Sequence, residues 1–245
     1  DEGSVLIGAH TPDYLQIVAI ADIRPYNIHR AFHGDVAARG PRPGLMAKYG
    51  WSSEDQARKA VKVYDQDYHD LLKDPAVEAV IIALPLHLHD TVAIEAMHAG
   101  KHVLTEKLMG YSVGQCKNMA RTAANLRMIL ATGHQRHYSI LYDNAVETLK
   151  SGLLGKLHHI RAQWHRTADS WYQPLPDEKT AKELEDFRKK LVEAEERKDL
   201  ARVEAVKAKV ADLEQRLLDK AVDAGKYGYQ SKTITAGKES YTCSP

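Results

Sequence analysis

Four short, uninterrupted apolar runs constrain this chain more than any other feature: Ile17–Ala21, Ala79–Leu84, His102–Thr105 and Met128–Ala131. Runs this short, without alternation, suit strands covered on both faces. Between the second and third, Asp90 or Thr91 can cap a helix that sets Val92, Ala93, Ala96 and Met97 on one face. Gly100 then stands at the C′ position that ends it. Between the third and fourth, Ser112 and Gln115 have the spacing of a capping box, and the helix they open carries Val113, Cys116, Met119, Ala120 and Ala123 at helical period. Strand, helix, strand, helix, strand at these lengths implies right-handed crossovers and a doubly wound parallel sheet. The stretch 37–50, with Gly40-Pro41-Arg42-Pro43-Gly44, reads as a loop.

After Gly155 the pattern changes. Residues 156–166 alternate, with Leu157, Ile160, Ala162 and Trp164 among polar neighbours, which predicts a longer, half-exposed strand. The expected organisation is a Rossmann-type nucleotide domain over 1–135 and the start of an α+β substrate domain over 136–245. A charged helical insertion over 177–223 interrupts the second. There Leu184, Phe187, Leu191 and Ala194 follow helical spacing, as do Val203, Val206, Val210, Leu213 and Leu217. Glu185–Lys189, Asp186–Lys190 and Glu193–Arg197 stand at i,i+4, each adding about 0.2–0.5 kcal/mol. Asp199 can cap a second helix, which makes a hairpin turning at 197–199; a single long solvated helix satisfies the same pattern. In either form the insertion is expected to serve packing or oligomer contact and to carry no chemistry.

A formal net charge of +1 without a basic block argues against nucleic acid as a partner. No apolar run reaches the ~20 residues that span a bilayer, so no membrane partner is expected. Cys116 and Cys243 are the only cysteines, which disfavours a disulfide framework and makes a reducing, cytoplasmic compartment the default, although one bridge between them stays open. The chain opens at Asp1-Glu2-Gly3 and closes at Tyr241–Pro245 without a terminating element, so a piece of a longer protein is expected, and an upstream export signal stays open with it. Among thirteen histidines, His87-x-His89 and His158-His159 are the nearest clusters, and neither has a Cys or carboxylate at ligand spacing; no metal is expected.

Asp22 ends the first run, nineteen residues after Gly3. A dinucleotide fingerprint places an acid about 20 residues after its glycines, at the end of the second strand, where it accepts hydrogen bonds from the ribose hydroxyls. Gly3 as the last glycine of that motif fits. Gly3 as a turn residue and Asp22 as a strand-end cap fit equally well.

The stretch Val80–Ala120 resembles the core signature of the glucose–fructose oxidoreductase and inositol dehydrogenase family (Gfo/Idh/MocA type). Its elements stand here as Pro85, His89, Ala99-Gly-Lys-His-Val103, Glu106-Lys107-Leu108 and a helix opened by Ser112. Gly133-His-Gln-Arg136, the helix 140–151 and Gly155-Lys156 are similar to that family's crossing into its second domain. The resemblance covers about residues 1–172. It implies an NAD(P)-dependent oxidoreductase that moves a hydride to or from a carbinol carbon of a sugar, polyol or related compound. NAD is the implied cofactor, with NADP possible, and the implied partners are that substrate and further copies of the chain.

By the same resemblance Lys107 is the polar catalytic residue and Glu106 holds ribose and orients it. Pro85 and His89 line the dinucleotide groove beside Gly3. Asp22 selects NAD, a preference that Arg24 and Arg30 soften. Gln135 and Arg136 face the substrate. Leu108 stands where the family has Pro, which changes the local turn and is expected to leave the lysine in place. The family's proton-accepting His, in a G-x-H-x-x-D stretch, has no match here and is expected beyond Pro245, as the first strand is expected before Asp1. Two alternatives accompany this reading: an NAD-dependent glycosidase working by transient oxidation, and a non-catalytic relative that binds a dinucleotide or sugar. A glycosidase carboxylate pair of Asp22 and Glu106 is disfavoured, since the resemblance puts them on different strands.

Overall fold

The computed structural model describes residues 2–35, 42–163, 176–227, 232–236 and 239–243. In chain order its elements are α1 (Glu2–Ala9), β1 (Ala19–Ala21), α2 (Pro25–His33), α3 (Leu45–Tyr49), α4 (Glu54–Ala60), β2 (Lys62–Tyr64), α5 (Tyr68–Lys73) and β3 (Ala79–Ile82). There follow α6 (His89–His98), β4 (His102–Thr105), α7 (Val113–Leu126), β5 (Leu130–Thr132), α8 (Ile140–Lys150), α9 (Glu178–Glu196), α10 (Leu200–Leu218), β6 (Lys232–Ala236) and β7 (Glu239–Cys243). Two compact units form, residues 1–6 with 68–173 and residues 7–67 with 174–245.

In the first unit β3, β4 and β5 make a parallel sheet in that order. β5 starts two residues later than its apolar run because the Met128 N–H still bonds the Ala123 carbonyl at the end of α7 (2.9 Å). Helix α6 buries Val92, Ala93, Ala96 and Met97. It ends as expected at Gly100 (φ 77°), where the Lys101 N–H bonds Ala96 O (2.9 Å) and the Gly100 N–H bonds Met97 O (3.0 Å). Neither Asp90 nor Thr91 caps it; the N-cap is Leu88, and Asp90 instead accepts from Gln115 Nε2 on α7 (2.9 Å). The Ser112–Gln115 capping box is present. The apolar face of α7 is narrower than its period implies, with Met119 and Ala123 buried and Val113 and Ala120 exposed.

The strand expected over 156–166 does not form across residues 156–163, and 164–166 lie outside the described residues. Among the described residues no neighbouring strand offers this stretch a ladder of hydrogen bonds, and alternation alone supplies none. Its Leu157 and Ile160 are exposed, like Ile140 and Leu141 of α8.

In the second unit β1 and β2 pair in parallel, Ala19 opposite Lys62 and Ala21 opposite Tyr64. β1 is shorter than its apolar run, since the Ile17 N–H goes to the Tyr49 hydroxyl (2.9 Å) and not to a strand. The core beside it joins Ile28, Phe32, Leu45, Ala57 and Val61. That core overturns part of the loop expected over 37–50: burial of Leu45 draws the stretch Leu45–Tyr49 into a short helix. Gly44 precedes it for a reason of space. A Cβ there would stand 2.3 Å from the backbone of Phe32 and Gly34.

The charged insertion is two helices. Asp177 caps α9 in a capping box with Thr180, Asp199 caps α10, and Lys198 turns left-handed between them (φ 55°), which a continuous helix does not allow. Leu184, Val206, Val210 and Leu213 form the seam. Among the described residues the i,i+4 ion pairs expected of Glu185–Lys189, Asp186–Lys190 and Glu193–Arg197 are not found; other charges pair between the two helices, Arg188 with Glu214 (2.6 Å), Lys207 with Glu195 (3.7 Å) and Lys209 with Glu183 (3.7 Å). In the same unit β6 and β7 pair as an antiparallel hairpin.

Candidate functional site

In the first unit the chemistry-bearing residues gather where the parallel strands end. β4 stops at Thr105, the Glu106 N–H bonds Ile82 O (2.8 Å), and the Lys107 N–H bonds the Glu106 carboxylate (3.0 Å). The Glu106 carboxylate lies against Gly133, just past β5, where an added Cβ would stand 2.8 Å from Oε1. The glycine is thus the floor on which that carboxylate rests. Lys107 is exposed, and its ammonium has no hydrogen bond or ion pair among the described residues. The Lys107–Leu108 peptide is cis.

His89 is nearly fully buried, 2% exposed. Its Nδ1 faces Leu108 O (2.7 Å) and its Nε2 faces Leu84 O (2.9 Å). Each carbonyl can accept a hydrogen bond from a ring N–H, and which nitrogen donates depends on the tautomer. With both nitrogens turned to the backbone, His89 braces the segment carrying Lys107. Pro85 is exposed a little beyond β3, and Gly3 sits in α1, where an added Cβ would stand 3.9 Å from the Ala83 Cβ. Gln135 and Arg136 are exposed on the short 3-10 turn after β5, Arg136 with its guanidinium over the Tyr142 ring (5.8 Å).

In the second unit Asp22 follows the last residue of β1. Its Oδ1 accepts from the Arg24 N–H (2.8 Å) and its Oδ2 from Asn27 Nδ2 (2.9 Å). A carboxylate has about four acceptor positions, so about two are left for a ligand. Burial pushes the Asp22 carboxyl up from its ordinary value, the bonds from Arg24 and Asn27 pull it down, and Asp219 pushes it up. Arg30 does not face this site: it is buried and ion-paired with Asp35 on its own side of α2.

The insertion packs against the same place. Asp219, just past α10, has a fully buried side chain; its Oδ2 accepts from Arg24 Nε (2.7 Å) and lies 2.6 Å from Nη2. Its Oδ1 accepts from the Tyr26 N–H (3.1 Å), and the Tyr26 hydroxyl donates to Asp212 (3.0 Å). Arg24 at the N-cap of α2 offers no side-chain cap and Pro25 has no N–H, so Asp219 caps this helix from 193 residues away. No local spacing signals such a cap. A groove of about 500 Å³ adjoins, lined by Ile23 between β1 and α2, by Ile28 of α2 and from the insertion by Leu218 and Val222.

His29, His33 and Glu54 also meet, with His33 Nε2 2.9 Å from Glu54 and Arg58 holding the other carboxylate oxygen (2.6 Å). Burial pushes Glu54 up, but the bonds from His33 and Arg58 prevail and hold it low; burial and His33 lower His29. The two imidazoles stack at 4.3 Å and 23°. The three residues offer ligand-type atoms within 4.8 Å of one another. Among the described residues no helix is long and apolar enough to cross a membrane.

A family model described as "Oxidoreductase family, NAD-binding Rossmann fold" matches residues 9–134. An uncharacterized oxidoreductase of Schizosaccharomyces pombe is 35% identical over 109 residues, 43% of this chain and 29% of that protein. An inositol 2-dehydrogenase/D-chiro-inositol 3-dehydrogenase of Lactiplantibacillus plantarum is 32% identical over 103 residues, 42% of this chain and 29% of that protein. A myo-inositol 2-dehydrogenase of Thermotoga maritima is 29% identical over 96 residues, 39% of this chain and 29% of that protein. The chain thus spans 29% of the length of each of these three relatives.

Proposed function

Because the chain belongs to the Gfo/Idh/MocA oxidoreductase family, we propose that the whole protein moves a hydride between NAD and a carbinol carbon of a sugar, polyol or related compound. One observation carries this reading: an exposed ammonium, Lys107, without a partner among the described residues and held past the end of a parallel strand, where α/β sheets bind ligands. The inositol dehydrogenases among the relatives favour a polyol. Residues 1–135 are the nucleotide domain in this reading, followed by a substrate domain interrupted by the insertion at 177–223.

NAD, when bound, supplies the hydride acceptor. Lys107 donates to the reacting hydroxyl and favours the negative charge that develops on its oxygen as the C–H bond breaks. Glu106 fixes the Lys107 backbone and accepts from a ribose hydroxyl, with Gly133 leaving room for its carboxylate. His89 acts as a positioning residue for that segment. Pro85 and Gly3 lie along the dinucleotide, and Gln135 and Arg136 hold the substrate. Asp22 accepts the adenosine ribose hydroxyls with its two remaining acceptor positions. The test is NADH formation by the full-length protein with a panel of inositols and sugars. Hydrolysis of a glycoside without net NADH would replace this reading with the transient-oxidation alternative.

Gly133→Ala is expected to push the Glu106 carboxylate aside and to lower turnover roughly ten- to a hundredfold, with little change in thermal stability. A structure of the variant with Glu106 unmoved would end that assignment. Asp22→Asn is expected to weaken NAD(H) binding at least about tenfold, the scale of a hydrogen bond to a charged acceptor. Ribose hydroxyls donate to the ionised carboxylate. Affinity therefore falls as pH drops through the Asp22 pKa, which burial sets above the ordinary carboxylate value, and Asp22→Asn removes that fall. Calorimetric titration across pH reads both effects.

A further inference from the structure

We propose that Asp219 of the helical insertion determines cofactor choice, acting as a positioning residue that makes the Asp22 site reject a dinucleotide bearing a 2′-phosphate. The inference rests on the reading that Asp22 takes the adenosine ribose. An Arg beside such an acid is what ordinarily accommodates a 2′-phosphate. Arg24 stands in that place, two residues after Asp22, but its guanidinium is committed to Asp219, with Nε 2.7 Å and Nη2 2.6 Å from one carboxylate oxygen. Asp219 is held in turn by the Tyr26 N–H (3.1 Å), so it cannot follow the guanidinium away from α2 without orphaning a buried helix donor.

Two effects add. The cation that would pair with a phosphate is neutralised, and a second carboxylate stands within electrostatic range of Asp22. Bringing a phosphate there would set a dianion against two carboxylates, beside a guanidinium whose charge Asp219 already offsets. NAD brings no such dianion. The insertion therefore supplies a specificity element that the strand-end acid alone does not.

The experiment compares dissociation constants for NADH and NADPH, measured calorimetrically on the full-length protein and its variants. Asp219→Asn keeps an acceptor for the Tyr26 N–H and removes the charge. It should raise NADPH affinity relative to NADH by about tenfold, the gain of one charge-assisted bond from a released Arg24. The double variant with Arg24→Leu should lose that gain, which a merely structural role for Asp219 would not produce. Asp219→Ser, whose hydroxyl can still cap α2, serves as the second variant should the asparagine form fail to fold. An unchanged NADPH/NADH ratio in both, with NADH binding still weakened by Asp22→Asn, overturns this inference alone. A gain that survives Arg24→Leu also overturns it. NADH binding indifferent to Asp22→Asn overturns the underlying reading, and the inference with it.

Discussion

Lys107→Ala is expected to lower kcat by about two to four orders of magnitude, the range of a lost polar catalytic group, while the dissociation constant for NAD(H) stays within about threefold. The split between the two numbers matters. The ammonium has no partner among the described residues, so removing it breaks no ion pair and orphans no buried group. Stability should therefore change little. A cation that acts only as the C–O bond acquires negative character affects the transition state more than the ground state. Steady-state kinetics beside calorimetric binding separates the two. Equal turnover in variant and parent removes Lys107 from the chemistry, and a loss confined to NAD(H) affinity makes it a binding residue. Lys107→Arg is an informative companion, because it keeps the charge but places a broader, forked donor where a compact ammonium stood.

Phe32→Ala is expected to cost about 3–5 kcal/mol of stability and to lower the melting temperature by roughly 6–20 °C, at about 2–4 °C per kcal/mol for a chain of this size. Phe32 is completely buried among Ile28, Leu45, Ala57 and Val61, with the Arg58 guanidinium 5.1 Å from its ring centroid. Its neighbours cannot close over the loss. The backbone of Phe32 and Gly34 already lies against the Gly44 Cα, so inward collapse from that side is blocked. Thermal unfolding followed by circular dichroism reads the effect. A shift under about 2 °C would mean that this cluster is not the core of the unit. The consequence should extend to dinucleotide binding, since Phe32 lies on α2, whose first turn follows Asp22.

What sequence decided and what tertiary structure decided divide along the range of the forces involved. The existence of β1, β3, β4 and β5, the buried face of α6, the capping box of α7, the Gly100 terminus and the motif running from Pro85 through Glu106 and Lys107 were legible, whereas β2, β6 and β7 gave no such signal and the strand expected over 156–166 does not form across 156–163. They depend on apolar periodicity and on hydrogen bonds between residues a few positions apart, which a chain displays in one dimension. The paired insertion was half legible, because its stripes were plain and only the left-handed Lys198 told two helices from one. Other features were not legible at all. The burial of His89 on two carbonyls, the close approach that requires glycine at positions 44 and 133, the diversion of Arg30 to Asp35, and the grip of Asp219 on Arg24 join groups by packing. Their energies come from excluding water and pairing charge between groups that no helical or strand period brings together. No local pattern encodes such a pairing, and only the folded chain brings its members together.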